Sequence, residues 1–213
     1  MSLRKKNYVQ PGDLVDLRWN ARLSEQLGVF NFETGKSTVG KIIEDNFRLS
    51  ILSSFCSLID ALLPEREKCK NFFQMCDQFI NNLTAEKYSS QDIVKKYLTW
   101  EIALLAEIGI SLNLKACVLT GSSRNLKYVS PKSGCAVSEE YAGDYLKNLI
   151  RLPHFLGGKS LLNGNINDDL LGGFNLTYYF FKKFFHSIDY NYIDKPLLAR
   201  ADLMKNFKLK FVS

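Results

Sequence analysis

From Val15 to Leu23 every second residue is apolar: Val15, Leu17, Trp19, Ala21 and Leu23 alternate with Asp16, Arg18, Asn20, Arg22 and Ser24. A period of two belongs to an extended chain with one face toward a core, so this stretch predicts a half-buried strand. Gln10-Pro11-Gly12-Asp13 before it is a turn signal. A second apolar run, Leu27 to Phe32, is placed to pair back on the first. Residues 1–38 thus read as a small β element. Its outer face is basic, with Arg4, Lys5 and Lys6 ahead of the strand and Arg18 and Arg22 on it.

From about Gly40 the period changes to that of a helix. Ile43, Phe47, Ile51, Phe55, Leu58 and Leu62 form one apolar stripe, which Pro64 stops. A second helix is predicted over Glu65 to Leu83, with Cys69, Phe72, Phe73, Cys76, Phe79, Ile80 and Leu83 as its stripe. A third starts after Ser89-Ser90, which suit a cap, and ends at Gly109. Residues 111–138, punctuated by Gly121, Pro131 and Gly134, read as a turn-rich β insert. Helical patterning returns at 139–150, and residues 157–169 read as a loop. An aromatic helix with Phe174, Tyr178, Phe181 and Phe185 follows, and a last helix begins near Pro196. The expected class is α+β: a β element at 1–38 and a mostly helical domain at 39–213 that carries the insert.

Charge and composition narrow the function. The 213 residues are 46% hydrophobic, which suits a packed core and excludes a disordered chain. Lys and Arg number 28 against 22 Asp and Glu, a net +6 that fits an anionic partner such as nucleic acid. No run of about 18 uncharged apolar residues occurs, so no membrane span is expected. Five cysteines, an odd number without a secretory leader, predict a reducing, cytoplasmic setting.

No motif amounts to a catalytic signature. Thr34-Gly35-Lys36-Ser37-Thr38 and Gly158-Lys159-Ser160 end like phosphate-binding loops, but the glycine required five residues before is Phe30 in one and Pro153 in the other. Cys56, Cys69 and Cys76 read as core thiols. Cys117 and Cys135 bracket the insert where a zinc ribbon would place two C-x-x-C pairs, yet Thr120 and Ser138 stand three residues after them. Neither His154 nor His186 has a nucleophile beside it. The chain is therefore expected to be no enzyme and to need no metal or cofactor. Basic strand faces can track the phosphates of a single strand. Lys205, Lys208 and Lys210 make the last helix basic as well, whereas the aromatic helix with Lys182 and Lys183 reads as core rather than as a stacking platform.

Two stretches are more specific. One is Gln10-Pro11-Gly12-Asp13-Leu14-Val15, continuing through Trp19-Asn20-Ala21-Arg22-Leu23 to Gly28. The other is Trp100-Glu101-Ile102-Ala103-Leu104-Leu105-Ala106-Glu107-Ile108-Gly109, then Leu112-Asn113-Leu114, Cys117 and Tyr128-Val129-Ser130-Pro131-Lys132-Ser133-Gly134. With Leu62-Leu63-Pro64-Glu65-Arg66-Glu67 between them, the chain resembles the RecO family of bacterial recombination mediators from about Lys5 onward.

The resemblance implies an N-terminal OB-fold, here partial, followed by a helical domain with a zinc-ribbon-like insert. It implies binding of single- and double-stranded DNA and annealing of complementary strands without ATP. It also implies association with RecR and with the acidic tail of single-stranded DNA-binding protein, and help in loading RecA. Arg4, Lys5, Lys6, Arg18 and Arg22 are the expected DNA contacts, and Lys95 and Lys96, just before the Trp100 motif, the expected tail contacts. Many family members carry four zinc-binding cysteines in the insert; Cys117 matches the first, and Thr120, Ser138 and Tyr141 occupy the others. The family has further residues before Arg4, about 30 at ordinary strand and loop lengths, so a shortened OB element is expected. A helical adaptor that docks RecR or the acidic tail without binding DNA is the alternative, and a nucleotide hydrolase, resting on the two defective loops, is the weaker rival.

Overall fold

The computed structural model describes residues 9–22, 28–65, 67–159, 165–188 and 194–212. The first elements are β1 (Leu14–Asn20) and β2 (Val29–Lys36), an antiparallel hairpin in which Leu17 faces Phe32 and Trp19 faces Phe30. Alternation puts Val15, Leu17, Trp19, Phe30 and Phe32 on one face. That face is not half-buried as the sequence predicts: Leu17 is 53% exposed, Trp19 43%, Phe30 59% and Phe32 42%. Burial of a sheet face requires a second layer. Among the described residues β1 and β2 form a two-stranded sheet of their own.

The turn before β1 fastens the hairpin to the helices. The Asp13 carboxylate accepts the backbone N–H groups of Gln10 at 3.0 Å and Thr38 at 2.8 Å, and the Thr38 hydroxyl donates to the Gly12 carbonyl at 2.6 Å. Gly12 has φ +89°, and a Cβ there would lie 2.7 Å from Leu52 Cδ1. Only glycine combines that backbone with so close an approach.

The predicted first helix is two. α1 (Val39–Ile42) ends before α2 (Asn46–Leu62), whose cap is Asp45: its carboxylate accepts from Phe47 and Arg48 N–H, each at 3.0 Å. The break leaves Ile43 62% exposed, while Phe47, Ile51, Phe55, Leu58 and Leu62 are buried. α3 (Lys70–Leu83) starts at Lys70 rather than Glu65, and Phe73 of its predicted stripe is exposed. α4 (Ser90–Glu107) opens on a capping box between Ser89 and Asp92, and Gly109 follows it at φ +91°. α5 (Ile166–Ser187) begins inside the stretch expected as loop, and α6 (Asp194–Phe211) closes the order.

The core is centred on α4, which packs against α3 and α5 while α2 packs against α6. Ile93, Val94, Tyr97, Leu98, Leu104 and Leu105 of α4 are wholly buried. Trp100 collects the rings of Phe55 at 4.4 Å, Tyr97 at 5.8 Å, and Phe72 and Phe79 at 6.0 Å between centroids. Beside it lies a buried ion pair between helices. Arg200 Nε reaches Glu101 Oε1 at 2.7 Å; Arg200 Nη2 reaches Glu101 Oε2 at 3.0 Å, Thr177 Oγ1 at 2.7 Å and the Phe174 carbonyl at 2.8 Å. Such a charge tolerates burial because its partner and hydrogen bonds are complete.

The insert is a four-stranded sheet ordered β3-β5-β4-β6, from β3 (Asn113–Cys117), β4 (Leu126–Val129), β5 (Cys135–Ser138) and β6 (Ile150–Arg151). β3 and β5 are parallel, and β4 is antiparallel to both its neighbours. The helix expected over 139–150 is instead two 3₁₀ turns, Glu139–Tyr141 and Gly143–Asn148, followed by β6.

Candidate nucleic-acid and partner interfaces

Of the expected DNA contacts, Arg4, Lys5 and Lys6 lie outside the described residues. Arg18 is exposed on β1 opposite Asn31, and Arg22 is exposed just beyond the strand. The face that Arg18 shares is mixed rather than uniformly basic, because Asp16 and Glu33 sit directly opposite each other on it. Two like charges in that position repel each other.

Lys95 and Lys96 lie on the first turns of α4, both half-buried. The Lys96 ammonium rests 4.4 Å over the Tyr88 ring. The Tyr88 carbonyl is in turn held by Arg48 Nη2 at 2.9 Å, and Arg48 Nη1 also takes the carbonyls of Leu83 and, at 2.9 Å, Ala85. The guanidinium thereby neutralises the carbonyl end of α3. Lys210 Nζ donates to Ser90 Oγ at 3.2 Å, which brings α6 to the same helix start. Asp92 is held below the usual carboxylate range, first by the Ser89 hydroxyl and its backbone N–H, then by Lys95 and Lys96. Beside Arg48 and Lys210 opens a polar groove of about 850 Å³, bordered by Glu44, Asp45, Thr84 and Glu86.

A larger, apolar groove of about 1020 Å³ runs between the Gly12 turn, α2 and α3, with Leu14, Phe55, Ile59, Phe72 and Phe73 among its walls. Cys56, Cys69 and Cys76 line it too, half-buried instead of forming core as the sequence suggests. Burial raises all three thiols, Cys56 to about 11, and Trp100 Nε1–H donates to Cys76 Sγ at 3.4 Å. A raised thiol holds less of the thiolate that acts as a nucleophile.

Cys117 is the opposite case. It is 2% exposed, and burial alone would raise it. The N–H and hydroxyl of Ser138, the Leu119 N–H and the Thr120 hydroxyl outweigh that effect and lower the thiol to about 6. The Ser138 N–H lies 3.4 Å from the sulfur. Cys117, Thr120 and Ser138, three of the four positions that the resemblance implies for zinc ligands, are thus gathered around one sulfur, while Tyr141 is 49% exposed. One thiolate and two hydroxyls are no donor set for structural zinc, which takes four Cys or His ligands. Among the described residues no three His, Cys, Asp or Glu side chains could hold a metal ion. Among the described residues the two glycine stretches form no phosphate cradle: Thr34-Gly35-Lys36 is strand, and Lys159 is engaged with Glu139 at 3.1 Å.

Sequence reasoning passed over Glu101, Arg200 and Arg48. A lone carboxylate inside the apolar run Trp100–Leu105 was the available signal, because a charge there requires a buried partner.

Comparison with known proteins adds the decisive observation. The family model described as "Recombination protein O C terminal" matches residues 43–183, which hold α2 to α4, the insert and most of α5. Relatives named "DNA repair protein RecO" are 37% identical over 190 residues in Rickettsia bellii, covering 87% of this chain and 75% of the relative. In Rhodospirillum centenum the identity is 40% over 159 residues, covering 74% and 62%. In Ehrlichia chaffeensis it is 33% over 188 residues, covering 86% and 75%. The chain belongs to the RecO family. No solved structure matches it. Both the Trp100–Gly109 stretch and the hydrogen-bonded Cys117 knuckle of this RecO-family chain fall inside the matched segment, and β1 and β2 precede it. None of its described helices is long and apolar enough to cross a membrane.

Proposed function

We propose that this chain is a recombination mediator in bacterial DNA repair, working in the cytoplasm on nucleoid DNA. It binds single- and double-stranded DNA and anneals complementary strands without ATP. Together with RecR it helps to load RecA on DNA coated with single-stranded DNA-binding protein. The observation that carries the reading is family membership across 87% of the chain. The absence of a phosphate cradle among the described residues is compatible with it. Residues 1–38 serve as a partial OB-fold that contacts DNA through Arg4, Lys5, Lys6, Arg18 and Arg22, and residues 39–213 serve as the docking domain. Lys95 and Lys96 receive the acidic tail of single-stranded DNA-binding protein. The work is electrostatic: cations hold phosphates, release their counterions and relieve repulsion while two strands pair.

The test is annealing of two complementary labelled oligonucleotides by the 213-residue chain, without ATP, at low and moderate salt. Salt-sensitive acceleration is expected. No acceleration, with retained binding of an acidic tail peptide, would favour a second reading, a helical adaptor that docks proteins only. The exposed apolar face of the described hairpin favours that alternative, because apolar surface suits a protein partner better than phosphates.

A further inference from the structure

The basic charge of the chain is unevenly distributed. Residues 40–110 hold eight Lys and Arg against ten Asp and Glu, whereas residues 111–159, the insert and its turns, hold seven against three. Of the insert's acids, Glu139 is shared by Lys127 and Lys159, and Glu140 accepts from Asn125. Of the remaining cations Lys115, Arg124, Lys132 and Lys147 are exposed and Arg151 is half-buried, and α5 adds to them. Its core side carries Phe174, Phe181 and Phe185, all wholly buried, but the helix is not core all round. Tyr179, Lys182, Lys183 and His186 follow at three, four and seven residues, the spacing of one helix face, and all four are exposed.

Two contacts lay this face against the insert. Lys183 Nζ donates to the Pro131 carbonyl at 3.0 Å, at the turn that presents exposed Lys132. Toward the other end a Cβ on Gly172 would meet Pro153 at 3.7 Å. Between these points run β4 and β6, where Tyr128 is paired with Arg151. Tyr179, Lys182, Lys183 and Lys132 therefore share one strip, which half-buried Arg151 borders from β6, the strand packed against α5. It extends about 17 Å along α5, from eleven residues at the helical rise. None of its four cations is ion-paired with a described carboxylate.

We propose that this strip is a second nucleic-acid contact, separate from the hairpin, in which Lys132, Arg151, Lys182 and Lys183 hold the phosphates of a single strand and Tyr179 stacks on a base. The inference deepens the DNA-binding reading above and rests on it. Cations flanking an exposed aromatic ring suit a phosphodiester chain whose bases are unpaired. An acidic peptide would need a pocket for an apolar anchor, and neither groove described above includes a residue of the strip.

The experiment is fluorescence anisotropy of a labelled thymidine oligomer against the full chain over a salt series. Lys132→Gln, Arg151→Gln, Lys182→Gln and Lys183→Gln are combined in one variant. Loss of four phosphate contacts at about 0.7 each should flatten the slope of log affinity on log salt by roughly 3 and weaken binding about tenfold or more at moderate salt. A charge-matched control replaces Lys41, Lys68, Lys70 and Lys87 and should leave the slope near that of the parent chain. Tyr179→Ala should weaken binding of the thymidine oligomer about fivefold or more and leave an abasic oligomer of equal length unaffected. An unchanged slope in the strip variant, with binding abolished by Arg18→Gln plus Arg22→Gln, overturns the strip and spares the DNA-binding reading. Equal losses in the strip and control variants overturn it as well, reducing the effect to net charge. A parent chain that binds no oligomer at low salt overturns both.

Discussion

Leu17 and Leu58 occupy the same kind of position. Each sits where the period of its element places the inside. Leu58 is wholly buried between helices, while Leu17 is 53% exposed on β1. The helices of this chain have one another: α2 meets α6, and α4 meets α3 and α5, so every apolar stripe finds a second layer. The described hairpin has only itself. A periodic pattern fixes which side chains share a face, and burial depends on what the rest of the chain brings to that face. The difference also separates two kinds of chemistry. The helical body owes its stability to burial and a satisfied ion pair, while the hairpin is fastened by a few hydrogen bonds at Asp13 and Thr38.

The contrast can be sharpened by mutation. The largest effect is expected from Arg200→Met, which strands the Glu101 carboxylate in the core and should destabilise by about 3–5 kcal/mol in urea unfolding. Adding Glu101→Leu should recover much of that loss; failure to recover would mean that packing around Arg200, not its charge, is what matters. Next, Leu58→Ala should lower stability by about 2–5 kcal/mol, as a cavity in a closed core does. Leu17→Ala on the hairpin should stay within about 0.5 kcal/mol. Comparable losses at the two leucines would break the comparison outright. A pH-dependent effect follows from Cys117. Its thiol lies at about 6 in the fold against an ordinary value of 9.0. A lowered thiol stabilises the fold fully above the ordinary value and loses that contribution as pH falls through about 6. Stability should therefore rise between pH 6 and 9, and Cys117→Ala should flatten the rise in unfolding midpoints across that range. The smallest effect on global stability is also the most local: Asp13→Ala should leave the helical unfolding midpoint almost unchanged while amide exchange at Thr38 and along β1 accelerates.

How much could be read from the sequence follows the range of the forces involved. Some helix ends were legible from a local device, namely Ser89, Pro64 and Gly109, while the caps Asp45 and Asn165, set inside an apolar stripe and a loop-like stretch, were not. The existence of the hairpin followed from alternation, whereas its register, with Leu17 opposite Phe32, came only from the paired strands. β6 was not legible, because two residues become a strand only through pairing with β4, and the helical phase of 139–150 pointed elsewhere. Phe73 failed as a core residue because its stripe is wider than the surface that covers it. For the candidate sites, Cys117, Thr120 and Ser138 were grouped only by the family resemblance, because spacing alone joins Ser138 to Cys135. The strip on α5 was not legible, since Lys183 and Pro131 meet across 52 residues. Nor was the partner of Glu101, which lies 99 residues away.

That last separation also sets an order in time. Glu101 sits at the centre of the core, and no nearby residue can neutralise it. At about 5–20 residues per second of synthesis, Arg200 follows Glu101 from the ribosome by about 5–20 s. During that interval the α4 carboxylate must remain in water, so the helices already made can gather but cannot close around it. The ion pair that locks the finished core thus also delays its completion until the last helix arrives.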